Sequence, residues 1–401
     1  MVDFRPFRGV LPRLSKSEDI ADRVSPPYDI ISPEEQTKLQ SKPCNITRIT
    51  LGAVDGRYEG AAELLDSWLS SGKLVQDRED CYYLYRQGFK DGERWLTRNG
   101  IIGVLRSEGY EAGNIIPHEE TFPKVKEDRL NLLRSTATHC ESIFGLYDRS
   151  EVDMGEVEKS ATKLFEYTDV SGTRHQLYRI SERGTVDAIR TMMASKKVLI
   201  ADGHHRYETS YKYAQENHAD AKKGYVLCTM VSSQDTGMFV RPTHRLIRNL
   251  RFQENELLEA MTKHFSVRQV KDAAAAGDIM DKATAPTFGL LFPSGRAVVA
   301  EFSAPAGDIL WSVDTYVCQE IILKGILYAM PKGNELEIEY DHDAASVEKK
   351  VRSGKGDLAI LVRAPTLEMT WKVAQSGRKM PKKTTYFWPK IWSGFVLYRM
   401  K

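Results

Sequence analysis

The residues of this chain that could do chemistry are concentrated between Asp202 and Arg206, where an acid, a glycine, two imidazoles and a guanidinium follow one another as DGHHR. None of the five adds to an apolar core, which separates the run from an ordinary turn. An apolar tetrad at 198–201 precedes it, and Tyr207, Tyr211 and Ala214 follow at helical spacing. The run is therefore read as the turn between a buried strand and a helix. The first amides of a helix lack intrahelical acceptors and the helix dipole is positive there, so the Gly203 turn attracts phosphate or carboxylate. Arg206 adds a fork of donors. Asp202, at the carboxyl end of the strand, is open to two readings. It holds a magnesium ion through water, or it caps the helix by accepting from an amide two or three residues on.

Three further clusters carry reactive types. His118, Glu119 and Glu120 stand together in IPHEET, and Asp128 and Arg129 follow in a helix whose apolar face is Leu130, Leu133 and Ala137. A carboxylate beside an imidazole is the usual equipment for taking a hydroxyl proton. The spacing is not that of a zincin, because position 122 is Phe and Pro123 interrupts. The hexapeptide VSPPYD delivers Tyr28 and Asp29 from a turn stiffened by two prolines, and RPTHR puts His244 and Arg245 just after a third. Zinc is disfavoured, since adjacent His204 and His205 cannot easily converge on one ion without His118 or His244. Magnesium at Asp202 is the metal expected.

The elements that must position these groups alternate. Ser32 and Glu35 form a capping box, residues 45–51 alternate as a strand, and Ala61, Leu64, Leu65, Trp68 and Leu69 mark an amphipathic helix. Strands follow at 81–85 and 101–105 around the Asp91–Gly92 turn, and at 226–231. Beyond residue 252 come a helix and strands at 265–270, 288–292 and 297–302, then a strand at 358–362 and a helix at 367–375. This is an α/β (α+β) chain. It has no internal repeat, Walker A loop or G-x-G-x-x-G.

With 401 residues, 41% of them hydrophobic and 28% charged, the chain can bury a core without staples. Five scattered cysteines without a C-x-x-C pair point to a reducing compartment, and no segment approaches a membrane span or a signal peptide, so a cytoplasmic protein is expected. Net charge is only +2, which argues against a dedicated nucleic-acid reader. From Met369 onward there is no acid, and eight Lys and Arg are interleaved with Tyr386, Phe387, Trp388, Ile391, Trp392, Phe395 and Tyr398. That pattern predicts a folded, buried tail whose lysines face something anionic.

VSPPYD (24–29), PHEET with its downstream EDR (117–129), ADGHHRYET (201–209), PTHR (242–245) and MPKKTTYFWPKIWSG (380–394) together resemble a widespread microbial family long catalogued only as a domain of unknown function. Its members are similar to pyrophosphate-dependent serine kinases, within the ParB and sulfiredoxin-like superfamily. Glu120 departs from the Arg expected in the PHE motif. The resemblance implies a ParB-like nucleus around the strand–DGHHR–helix unit, spanning 1–249, an additional α/β lobe at 250–330, and a C-terminal segment at 331–401 that returns to the core. It also implies transfer of a phosphoryl group from pyrophosphate, or from a nucleotide, to the hydroxyl of free serine with Mg2+. Asp202, His204, His205 and Glu119 would be the catalytic groups, with Glu119 accepting the hydroxyl proton and Asp202 holding the metal. Gly203, Arg206, Lys382, Lys383, Thr384 and Lys390 would bind phosphate, and Tyr28, Asp29, His118, Asp128, Arg129, His244 and Arg245 would bind substrate. A ParB-like nucleotide- or nucleic-acid-binding regulator, or a hydrolase of phosphoserine or pyrophosphate, are the alternatives. Oligomeric state is not fixed by the sequence.

Overall fold

A computed structural model describes residues 1–15, 18–52, 58–121, 123–303, 305, 307–331 and 333–401. The chain divides into two compact units. One comprises Met1–Pro117, Thr121–Phe239 and Pro389–Lys401, and the other His118–Glu120 and Val240–Trp388. Residues 331–388 thus lie in the second unit together with 250–330, and only 389–401 belong with the first.

The first unit is built on a mixed sheet of nine strands among the described residues: β1 (Phe4–Arg5), β2 (Tyr82–Asp91), β3 (Arg94–Arg106), β4 (Ile115–Ile116), β5 (Ile143–Tyr147), β6 (Thr162–Thr168), β7 (Arg174–Ile180), β8 (Val198–Asp202) and β9 (Tyr225–Ser232). Their order is β4-β8-β5-β9-β3-β2-β7-β6, with β1 on β3. Strand β8 runs parallel to β4 and antiparallel to β5, and β5 runs parallel to β9. The expected strand at 198–201 is therefore present, one residue longer. Its continuous apolar run is explained by burial on both faces: Val198, Leu199 and Ile200 are fully enclosed. Val198 and Ile200 join Leu84, Ile101, Val226 and Met230 in a core closed by Ile189, Met192 and Met193 of a helix spanning Arg183–Ala194. Each such side chain contributes roughly 1.5–3 kcal/mol. Because side chains alternate along a strand, the residues of opposite parity, among them Tyr83, Tyr85 and Gln87 on β2 and Arg98 on β3, occupy the other face.

Two local expectations fail. Residues 45–51 do not form a strand; Thr47–Thr50 is a short helix begun by Asn45, whose side-chain oxygen accepts from the Thr47 amide at 3.0 Å. An Asx turn there outcompetes the alternating pattern. The helix after DGHHR, His204–Glu216, buries His204, Tyr207, Ser210 and Tyr213, whereas Tyr211 and Ala214 are only partly covered. The apolar stripe was misplaced by about one position, because His204 packs inward. The capping box is present, Ser32 accepting from the Glu35 amide at 3.2 Å.

The second unit carries a six-stranded antiparallel sheet in the order β11 (Phe265–Val270), β13 (Ala297–Phe302), β12 (Thr287–Leu291), β15 (Leu358–Leu361), β10 (His244–Arg248) and β14 (Glu337–Asp341). Leu257, Leu258, Ile322 and Leu323 from helical segments cover one face, and Ala276, Met280, Val347 and Val351 cover the other. The alanine-rich stretch at 273–276 opens a helix, Ala273–Lys282, capped by Asp272. Among the described residues, no helix is long and apolar enough to cross a membrane.

Candidate functional site

The strand–turn–helix unit of the first domain is aimed by two local irregularities. Pairing of β8 with β5 shifts register between Ile200 and Asp202, a bulge that leaves Ala201 over and sets Asp202 opposite Phe144. Bulges of this kind redirect side chains beside functional sites. Gly203 then sits at φ 89°, ψ 29°, in the left-handed region, as the residue before the first helical turn. A Cβ at this position would come within 3.0 Å of the Arg206 guanidinium. Glycine is thus required twice, for backbone conformation and for the close approach of Arg206. Since Gly203 occupies the cap position, Asp202 is not the helix cap, and that reading of it is set aside.

Instead Asp202 faces two cations. Its Oδ2 is 3.4 Å from Arg206 Nη2 and its Oδ1 is 3.4 Å from Lys390 Nζ. Burial pushes the Asp202 carboxyl upward, but Lys390, Arg206 and His204 outweigh that and hold it down at about 2. Arg206 also donates from Nη1 to the Ser142 carbonyl at 2.5 Å. Lys390, only 8% exposed, belongs to the returning tail. That tail is buried as expected, through Ile391, Phe395, Val396, Leu397 and Tyr398.

Behind Arg206 stands Glu141, a residue the sequence reading did not single out. It is 6% exposed and ties three segments together. Its Oε1 accepts from the Tyr28 amide at 3.2 Å and from Ser393 Oγ at 3.3 Å, and its Oε2 lies 3.7 Å from Arg129 Nη1. Arg129 packs 4.3 Å over the Tyr28 ring, pairs with Asp128 at 2.5 Å and donates to the Thr50 carbonyl at 2.8 Å. Asp128 in turn accepts from Tyr58. Charge therefore alternates from Lys390 through Asp202, Arg206, Glu141 and Arg129 to Asp128. Burial raises the Tyr28 hydroxyl to about 12, even though Arg206 and Arg129 pull the other way. The exposed Asp29 follows directly. His205 is half-buried. Burial lowers its pKa, while Glu208 and Asp29 raise it and Lys126 and Arg206 lower it further. Lys126 and Glu208, paired at 2.8 Å, complete this rim. A small cavity of about 40 Å³ lies against Arg206, Arg129, Glu141 and Cys140.

The other expected site residues belong to the second unit. Glu119 Oε1 accepts from the amides of Thr384 and Thr385, each at 3.1 Å, and from Thr385 Oγ1 at 3.2 Å. The His118 ring is fully buried with Nε2 2.8 Å from the same hydroxyl. This pair thereby secures the 384–385 turn, where Lys383 is exposed at φ 60°. Thr384 is itself buried and donates to the Pro381 carbonyl, while Lys382 is half-exposed. His244 accepts from the Val362 amide at Nδ1, and burial, reinforced by Arg245, lowers it to about 4. Arg245, 3% exposed, donates to the Thr243 carbonyl and lies 5.6 Å over Tyr340. His244 and Arg245 are thus interior groups of the second sheet.

Among the described residues no three His, Cys, Asp or Glu side chains gather into a metal-binding set. Asp202 is a single carboxylate with a cation against each oxygen. That donor set does not make a cage. Asp202 could serve at most as one carboxylate ligand of a magnesium ion that keeps its waters.

Comparison with known proteins adds the following. No curated protein matches the chain. Among solved structures, a free serine kinase variant in complex with AMP aligns at 14% identity and a TM-score of 0.38, covering 69% of this chain and 84% of its own. A conserved hypothetical protein from Pyrococcus furiosus aligns at 14% identity and 0.37, covering 70% and 89%. SbnI from Staphylococcus aureus, truncated at its C-terminus, aligns at 8% identity and 0.36, covering 73% and 85%. Residues 4–316 match the family described as protein of unknown function (DUF1015), and the chain belongs to that family.

Proposed function

We propose that this protein is a phosphotransferase that moves a phosphoryl group from pyrophosphate to the hydroxyl of free serine, giving O-phosphoserine. The observation that carries the reading is the convergence of Arg206 and Lys390 on Asp202 at a glycine turn opening a helix, with the Tyr28–Asp29 loop tethered alongside by Glu141. Phosphoryl transfer asks little covalent chemistry of a protein, and catalysis is mostly positioning and charge stabilisation. The turn amides and Arg206 would cradle the transferred group, and Lys390 would neutralise an oxygen of it or of the departing phosphate. A magnesium ion bound to the donor, with Asp202 as a carboxylate ligand, would supply the further neutralisation such a polyanion requires.

Proton acceptance is assigned to Asp29 rather than to Glu119. Glu119 spends one oxygen on three donors of the 384–385 turn, whereas Asp29 is exposed beside His205 and Arg206. Lys382 and Lys383 lie in the second unit. A pyrophosphate donor is favoured because it needs only cations and amides, which this turn and tail provide.

The deciding experiment supplies purified protein, serine and magnesium with pyrophosphate, ADP or ATP in turn and reads phosphoserine by mass. Product from pyrophosphate is expected. Product from ATP or ADP alone would replace the donor and keep the transferase. Phosphate release from phosphoserine without an acceptor would turn the reading into a hydrolase, and no turnover with any donor would leave a ParB-like binding role.

A further inference from the structure

We propose that Gln87 and Arg98, a buried cross-strand pair of the first unit, are positioning residues that aim the Lys390 ammonium at Asp202 by holding the two peptide carbonyls that flank the Lys390 Cα. The residues sit directly opposite each other on β2 and β3, and each is 1% exposed. Gln87 Nε2 donates to the Lys390 carbonyl at 2.8 Å. Arg98 Nη2 donates to the Pro389 carbonyl and to Gln87 Oε1. One peptide on each side of Lys390 is thus fixed from the sheet below.

A purely structural role is a poor account of this pair. A guanidinium enclosed in a sheet carries a large desolvation penalty, and apolar residues of like volume are often as stable or more so. Burial brings the Arg98 pKa down to about 10 against the opposing pull of Tyr85, Asp235 and Asp202. What the polar pair adds over an apolar one is a specific grip on two consecutive carbonyls. That grip matters because a lysine side chain has four rotatable bonds and a compact charge. Lys390 reaches Asp202 from a backbone that cannot shift. The rest of the tail is pinned in the same manner. The Trp392 ring packs at a tilt against the buried His175 ring, centroids 4.8 Å apart, and Ser393 exchanges backbone hydrogen bonds with Ser25. Arg98 also lies 4.8 Å over Phe144, the residue opposite Asp202 in register. The grip and its target therefore occupy one continuous face of the sheet.

The catalytic consequence rests on the phosphoryl-transfer reading, while the aiming of Lys390 does not, and the test separates the two. Gln87→Glu keeps an acceptor for Arg98 and removes the donor to the Lys390 carbonyl. Two quantities are measured: the dissociation constant of magnesium pyrophosphate by calorimetry, and the rate of Lys390 acetylation by acetic anhydride, read by mass spectrometry against Lys196. Lys196 is an equally buried, ion-paired lysine of the same unit and reports general loosening. Expected are about tenfold weaker binding and about tenfold faster Lys390 acetylation with Lys196 unchanged, the size of one lost hydrogen bond to a positioned group. The double variant Gln87→Glu/Lys390→Met should bind no more weakly than Lys390→Met alone, because the two act as one unit. Additive losses, unchanged Lys390 acetylation, or Lys196 rising in step would each overturn the proposal. If the native protein binds no pyrophosphate, the function proposed above falls and acetylation alone decides this inference. If Gln87→Glu does not fold, Gln87→Met carries the same measurements.

Discussion

Substituting Gly203 by alanine should damage stability and chemistry by separable amounts. At φ 89° an L-residue incurs roughly 1–2 kcal/mol of backbone strain. The added Cβ also meets Arg206 Nη2 at 3.0 Å and Cζ at 3.1 Å. Since these atoms end a flexible side chain, relief comes by moving the guanidinium and not the backbone. Movement sacrifices its contact with the Ser142 carbonyl and its pairing with Asp202. A charge-assisted hydrogen bond is worth about 1.5–3 kcal/mol, which corresponds to a roughly ten- to hundredfold loss in kcat/KM for the phosphoryl donor. Gly203→Asn separates the terms, because asparagine tolerates the left-handed region yet carries the same Cβ. Urea denaturation should place Gly203→Ala about 1–2 kcal/mol below the native protein and Gly203→Asn nearer to it, while steady-state kinetics show both slowed alike. An alanine variant of native stability and native kcat/KM would refute the account of this turn, and an asparagine variant with restored kinetics would refute the part assigned to Arg206.

Further outcomes follow from the same geometry. Asp202 is held below its ordinary value, so its ionisation contributes stability that is present above about pH 4 and lost as pH falls through about 2. The stability gap between the native protein and Asp202→Asn, measured by denaturant titration, should narrow by about 2 kcal/mol across that window; a gap that stays constant would contradict the ion-pair assignment. Asp29→Asn should lower kcat by about 10²–10⁴ with little change in melting temperature, as loss of a general base does. Glu119→Gln should instead cost roughly 1–3 kcal/mol of stability in the second unit, with kcat changed less than about threefold; the reverse pattern would return the base to Glu119. Chelation with EDTA should abolish phosphoserine formation and leave the melting temperature unchanged, since the described residues form no metal-binding cage.

The local signals in this sequence were strong where chemistry and secondary structure coincide. The apolar run at 198–201 reads as a buried strand, Gly203 as a break, and Tyr207, Tyr211 and Ala214 carry a helical period, so the strand–turn–helix unit was legible without neighbours. The basic, aromatic tail was likewise legible as buried, because so many large rings cannot stay in water. Other features were set by contacts made across hundreds of residues. The sequence could not say that Pro389–Lys401 rejoins the first unit while the neighbouring PKKTT segment belongs to the second, since both lie in one acid-free stretch. Nor could it choose among the carboxylates. Glu119 was attractive for standing beside His118, yet its oxygen is taken by a turn 265 residues away in sequence. Glu141, flanked by Cys140 and Ser142 with no motif around it, became central only because the Tyr28 loop, Arg129 and Ser393 close on it. Arg98 left one faint trace: it shares strand parity with Gly100, Ile102 and Val104, a charged residue on a face that should be covered. What it does there was decided by the tail, because a buried guanidinium takes its role from the carbonyls that fold onto it.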